Sequence, residues 1–244
     1  MLRAAEAQLQ SSPDRDFSTR AVCDAVGVGA PMLYRLFGDK NGLIAAVIDR
    51  VFQRYLAAKR TQALSDDPVA DLYSAWDEHI SFALKNQAIY RIAYAPALPV
   101  VPDGVAEARL LLVERLVRCA EIGRLKATPD EAAQIMMAAC TGVALSLITQ
   151  PDTFSSPDLS RRVRDAVLSD IVVDAEARGR ANDHTLKTVA LQMAAKIQAT
   201  PTSLTDPEVA MMLQWLDAIA ASSGAPNATK SSRSVRTPSR PRSG

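Results

Sequence analysis

The chain has 244 residues, a formal net charge of +1 and 48% hydrophobic residues, enough to bury a substantial core. Cys23, Cys119 and Cys140 lie far apart in apolar helical patterns, so they read as buried free thiols in a reducing compartment and not as a disulfide framework; a redox sensor is the lesser alternative. Neither His79 nor His184 neighbours a Cys or an acidic pair at ligand spacing, which argues against a zinc site, and no nucleophile elbow, Walker loop or paired-carboxylate constellation points to an enzyme.

Apolar residues recur with a 3.6-residue period and nowhere alternate strictly, so the chain is expected to be all-α. Helices are predicted from near Met1 to Gln10, from Thr19 to Ala25 and from Ala30 to Phe37. Ser18 or Thr19 caps the second, Gly27 supplies the positive φ that ends it, and Pro31 sits early in the third, where its missing N–H costs little. Two short helices joined by a glycine turn are the sequence form of a helix-turn-helix, the second short enough to enter a DNA major groove. Leu33 and Phe37 face inward together, with Val22 and Val26 also structural, while Met32, Tyr34 and Arg35 look outward. Arg35 is the long cationic side chain of this helix, suited to a guanine or a phosphate. Thr19 and Arg20 are placed to grip the DNA backbone.

A long helix from Lys40 to Leu64 follows. Asp67-Pro68 opens another, whose buried face is Leu72, Trp76, His79, Ile80 and Ala83. A short helix around Gln87 to Ala95 ends in a Pro96–Pro102 loop, and Ala106 to Ile122 resumes with Leu110, Val113 and Val117 on one face. Thr128-Pro129-Asp130-Glu131 is a capping box that starts a charge-free helix to Gln150. That helix approaches the ~20 residues a bilayer span needs, but Gln134, Thr141, Thr149 and Gln150 interrupt it and no basic flank accompanies it. A buried helix of a non-membrane protein is expected. The N-terminus shows no signal peptide, since Glu6 and Gln8 break any hydrophobic run.

Along the charge-free helix Ala138, Gly142 and Ser146 form a row of small residues that permits close helix approach. A helix over about 158–178 follows, with Leu159, Val163, Ala166, Val167 and Ile171 on its stripe. These two helices form either a dimer seam or monomer core. Residues 183–221 add two helices, with stripes at Leu186, Val189, Met193 and Ile197 and at Val209, Leu213, Leu216 and Ala220, the second opened by the box Thr205-Asp206-Pro207-Glu208. Residues 222–244 lack apolar side chains to bury and are expected to be disordered.

Charge is uneven. Residues 1–60 carry nine Lys/Arg against six Asp/Glu, 61–221 carry fourteen against twenty-one, and 222–244 carry five against none. A mildly basic head on an acidic body suits a DNA reader.

Phe17-Ser18-Thr19-Arg20, Val26-Gly27-Val28 and Leu33-Tyr34-Arg35-Leu36-Phe37-Gly38-Asp39-Lys40-Asn41-Gly42-Leu43 resemble the DNA-binding domain of the tetracycline-repressor (TetR) family over roughly residues 2–55. A weaker similarity to one branch of the family continues at Ala88-Ile89-Tyr90-Arg91-Ile92 and Gly123-Arg124-Leu125. The resemblance implies a bacterial, cytoplasmic, non-enzymatic transcriptional repressor without cofactors. It implies a homodimer that binds a pseudo-palindromic operator in double-stranded DNA and is released by a small effector. The expected organisation is a helix-turn-helix domain over 1–46, a larger helical effector-binding and dimerisation domain over 47–221, and the tail. By resemblance Gly29, Ala30 and Met32 occupy base-facing positions, and Tyr34 and Lys40 occupy phosphate-binding ones. The two helices at about 129–150 and 158–178 match the family's four-helix interface, which nominates Ala138, Gly142, Ser146, Val163 and Val167.

Two departures stand out: the chain begins almost at its first helix, without the family's basic residues ahead of it, and Leu36 replaces a common His. For the effector, Tyr73, Trp76, His79, Tyr90, Tyr94 and Met137 are the candidates, suiting an apolar or aromatic molecule. The rival reading is a helical interaction module, or a ligand-independent regulator without a pocket.

Overall fold

In the computed structural model residues 1–11, 17–94, 102–173 and 186–221 are described. They form α1 (Leu2–Ser11), α2 (Thr19–Val26), α3 (Ala30–Phe37), α4 (Lys40–Thr61), α5 (Pro68–Lys85), α6 (Gln87–Ala93), α7 (Asp103–Glu121), α8 (Pro129–Thr149), α9 (Leu159–Ile171), α10 (Leu186–Ala199) and α11 (Asp206–Ala221). The fold is all-α, with one isolated antiparallel bridge between Leu125 and Val172 among the described residues. The expected loop at 96–101, His184 and the tail at 222–244 lie outside those residues.

The head is α1 to α3 packed on the start of α4. Ala5, Leu9, Val22, Cys23, Leu33, Leu43 and Val47 are its buried contacts. Glu6, nearly buried, pairs with Arg50 at 3.5 Å and with Arg54, and so ties α1 to α4. The body wraps α4, α5, α7 and α8 around a core of Phe52, Leu56, Leu72, Trp76, Leu116, Cys119 and Met136. The buried face of α5 is the one its periodicity predicted, including Leu72, Trp76, Ile80 and Ala83.

Several boundaries and faces depart from the sequence reading. The helix expected to reach Leu64 ends at Thr61, and Asp67 caps α5 through bonds from the Val69 and Ala70 N–H groups at 2.9 and 3.2 Å. α7 begins at Asp103, ahead of Ala106, because the Gly104 N–H finds the Asp49 carboxylate on α4 at 3.0 Å. Its inner face is Arg115, Leu116, Cys119 and Ala120, whereas Leu110 is 56% exposed. α9 stops at Ile171, well short of 178. There the chain turns extended and is pinned by Val173 N–H to Arg124 O at 3.0 Å and Lys126 N–H to Ile171 O at 2.8 Å.

The largest correction is on α10. Leu186, Val189 and Met193 were expected inside, but they are exposed, and Thr188, Ala190, Leu191 and Ala195 face inward instead. Small residues bring α10 close to α11, and apolar count alone misassigns the face. The α11 stripe fares better: its Leu216 and Ala220 pack with Ala190 and Leu191, and Ile219, outside the expected stripe, joins them.

α8 is long and apolar enough to cross a membrane by composition. In the fold Ala132, Ala133, Met136, Cys140, Val143 and Ala144 give it a buried face, and it packs against α5, α7 and α9.

Candidate DNA-reading face and effector cavity

The turn between α2 and α3 is set by local chemistry. Ser18 Oγ accepts from the Ala21 N–H at 3.2 Å and caps α2. Gly27 ends it at φ 68°, and the Val28 N–H reaches back to Cys23 O at 3.1 Å, which closes off the last carbonyls. Gly29 precedes α3 without a side-chain cap; Pro31 carries no N–H, and the Met32 N–H turns back to Gly29 O at 3.0 Å.

Leu33 is fully buried and Phe37 half-buried, and together they seat α3 on α2 and α4. The opposite face is bare. Met32 is 40% and Tyr34 49% exposed, and Gly29, Ala30, Arg35 and Lys40 are exposed around them. Arg35 rests against the Met32 sulfur at 3.0 Å. Arg20 leans toward Asp24 at 4.0 Å with both side chains in solvent, a contact too weak to hold it; Thr19 beside it is half-buried. All eight residues expected to meet DNA therefore lie on α2, on the Gly29 turn, on α3 and at the start of α4. Leu36, left out of that set, is an apolar side chain that is exposed as well.

Gly42 is also structural in a way the motif did not reveal. A Cβ there would fall 1.9 Å from the Phe37 carbonyl oxygen, so the end of α3 closes directly onto the first turn of α4. The Asp39 carboxylate accepts the Gly42 N–H at 2.7 Å and fixes that junction.

In the body a cavity of about 50 Å³ lies between α4, α5, α7 and α8. His79, Tyr94 and Met137 line it, together with Tyr55, Lys59, Arg115 and Cys140. The other three expected effector residues are placed differently. Trp76 is fully buried in the core and donates its indole N–H to Ser160 Oγ on α9 at 3.0 Å. Tyr73 sits at the surface under the Arg164 guanidinium, 4.9 Å from its ring centre. Tyr90 is buried behind His79, its hydroxyl and the imidazole Nε2 hydrogen-bonded at 2.8 Å. Periodicity marked Trp76 as inward-facing, and aromatic character nominated Tyr73 and Tyr90; neither signal tells a cavity wall from a packed core or a surface.

Burial holds the His79 ring neutral, its pKa lowered to about 4, with the nearby Lys59 charge acting in the same direction. The Tyr55 hydroxyl is pushed up by burial, with Glu78 adding to the shift. Cys119 and Cys140 are pushed up to about 12, again by burial, which makes them poor thiolates and poor redox sensors. Among the described residues no group of His, Cys, Asp and Glu is arranged to hold a metal.

α4 joins the two regions without a break. Its far end is held on both sides: Glu78 of α5 meets Lys59 at 3.2 Å and accepts from Gln62 at 2.8 Å. Glu107 of α7 accepts from Gln53 and Arg60, each at 2.8 Å. Those bonds hold the half-buried Glu107 carboxyl below the usual range.

The expected seam residues divide by exposure. On α8 Ala138 and Gly142 are exposed, Ser146 is half-buried, and a Cβ added at Gly142 would meet nothing within 4 Å. On α9 Val163 and Val167 are half-buried against the core, while Ala166 is exposed.

Residues 1–47 match the model of the tetR family of bacterial regulatory proteins. The three-helix head is thus similar to the domain that this family shares. A candidate tetR-family transcription regulator from Shewanella sp. PV-4 shares the fold at 17% identity and a TM-score of 0.57, over 71% of this chain and 98% of that one. A protein of unknown function from Rhodococcus sp. RHA1 does so at 19% identity and a TM-score of 0.57, over 70% of this chain and 93% of its own. No curated protein sequence matched the chain.

Proposed function

We propose that this protein is a cytoplasmic, non-enzymatic transcriptional repressor that binds a pseudo-palindromic operator as a homodimer and is released by a small effector held in its body. Residues 1–46 act as the reading head and 47–221 as the effector-binding and dimerising part. The observation that carries this reading is the bare face of α3, where Met32, Tyr34, Arg35 and Leu36 stand in solvent on a helix seated by Leu33 and Phe37. Met32 and Leu36 suit thymine methyl groups, Arg35 a guanine edge or a phosphate, and Tyr34, Lys40, Thr19 and Arg20 the flanking phosphates.

A single head covers one half-site, and two heads about one helical turn apart (~34–36 Å) read a palindrome. The open row of Ala138 and Gly142 on α8 supports a seam with a second copy, with α9 beside it. Release then follows from α4. Because it is continuous from Lys40 to Thr61, a shift at its clamped end moves the recognition helix. An effector works only through unequal affinity for the DNA-competent and released forms.

Fluorescence anisotropy with the DNA upstream of the protein's own gene tests the reading. The expected result is saturable binding tighter than to random DNA of equal length. Lys40→Ala should weaken binding to both sequences alike and flatten the log–log salt dependence by ~0.9 per lost phosphate contact in each subunit. Arg35→Ala should cost ~1–3 kcal/mol on the upstream site alone if it reads a base. Equal binding of parent and both variants to every sequence would remove α3 as the reading element.

A further inference from the structure

The cavity lining is unevenly charged. Leu56, Leu112 and Met136 give it apolar walls, while Lys59 and Arg115 bring two cations to it. Arg115 is only 7% exposed, and a guanidinium keeps its charge at any ordinary pH. The Lys59 side chain is 9% exposed, and its ammonium meets the Glu78 carboxylate at 3.2 Å. Among the described residues no carboxylate stands within ion-pair distance of Arg115. Two buried cations thus share one acid, and an uncompensated charge in such a site is costly until an anion arrives. Burial lowers the Lys59 pKa, Glu78 opposes that shift, and the Arg115 charge adds to it.

Position adds a second observation. Tyr55 and Lys59 line the cavity and also an open groove between α4 and α5 that contains Glu78 and Gln62. The Lys59–Glu78 pair therefore stands between solvent and cavity, and the same carboxylate holds Gln62 at the end of α4.

Building on the reading of this cavity as the effector site, we infer that the effector is an organic monocarboxylate with an apolar body. Its carboxylate is bound by Arg115 and by Lys59, which it takes over from Glu78. The cavity volume of about 50 Å³ receives the head group. The unbranched Met136 and Met137 side chains adjust to admit the body. Losing Lys59 frees Glu78 and loosens the α4–α5 clamp, which links occupancy to the helix that carries α3.

The test titrates the full chain, by calorimetry and thermal shift, with octanoate, decanoate, benzoate and phenylacetate and with the primary amide of each. At least one acid should bind and raise the melting temperature, with its amide about tenfold weaker or worse. Arg115→Gln should bring the acid-to-amide affinity ratio toward one, and Lys59→Gln should lower it in part. Arg115→Lys, which keeps the charge if the glutamine variant does not fold, should retain a preference for the acid. Amides binding as tightly as acids, or an unchanged ratio in Arg115→Gln, would overturn the anionic assignment and leave the effector site standing. No response to either class of probe would overturn both.

Discussion

His79 is enclosed by Tyr55, Phe82 and Tyr90, with ring centres 6.1, 6.3 and 5.5 Å away. Its pKa falls from 6.5 to about 4 because the charged ring would lose its hydration there. Between those values the unfolded chain binds the proton and the folded chain does not, so folding stability rises with pH across that window. It is lost as pH falls from about 6.5 toward 4, at roughly 1.4 kcal/mol per pH unit from this residue. Denaturant unfolding of His79→Gln and the parent at several pH values checks this. The variant should show the shallower slope in that window, roughly 3 kcal/mol less in all, and an identical slope would remove the buried neutral ring as a determinant of acid stability.

At this scale the sequence was readable where the side chain's role follows from its own helix. Met32, Tyr34 and Arg35 lie exposed where their spacing put them. Lys59 and Arg115 were missed, although each interrupts an apolar stripe: Phe52, Tyr55, Leu56 and Lys59 share one face of α4, and Leu112, Arg115, Leu116 and Cys119 one face of α7. A cation at such a position is the signal that a pocket is near. Trp76 carried no such signal: it is packed into the core, and its indole N–H finds Ser160 on α9, far away in sequence.

Among elements, the α3–α4 junction is the most constrained. Gly42 leaves room for the Phe37 carbonyl where any Cβ would collide with backbone, and Asp39 caps the same turn. Gly42→Ala must push the end of α3 away, at a cost of ~1–3 kcal/mol typical of overpacking. We expect both a lower melting temperature and weaker DNA binding, because the displaced helix is the one that enters the groove. Unchanged values of both would show that the junction gives way freely. Helix starts were legible because caps are local: Ser18, Asp67 and Thr128 each accept the expected backbone N–H. For the box at Thr205 it is the Glu208 carboxylate reaching back to the Thr205 N–H, at 2.8 Å. Helix ends and buried faces were less legible. α9 is cut short by contacts with the 124–126 segment, and the inner face of α10 is chosen by small residues that fit α11 and α7.

For the whole molecule, a basic head and an acidic body are joined by α4, whose far end is gripped by Glu78 and Glu107. The all-α class and the head were legible because a helix-turn-helix is built from contiguous residues. How the body closes around α4 depends on pairings such as Gln53 with Glu107 and Trp76 with Ser160, which no local pattern encodes. The central claim is that two such heads read one operator. Hydroxyl-radical footprinting of the purified protein on the DNA upstream of its gene tests it most directly. The expected result is two protected tracts of related, inverted sequence on one face of the duplex, centred about one helical turn apart (~34–36 Å). A single isolated tract would contradict the paired heads. No protection at concentrations where the protein is folded would contradict DNA reading altogether.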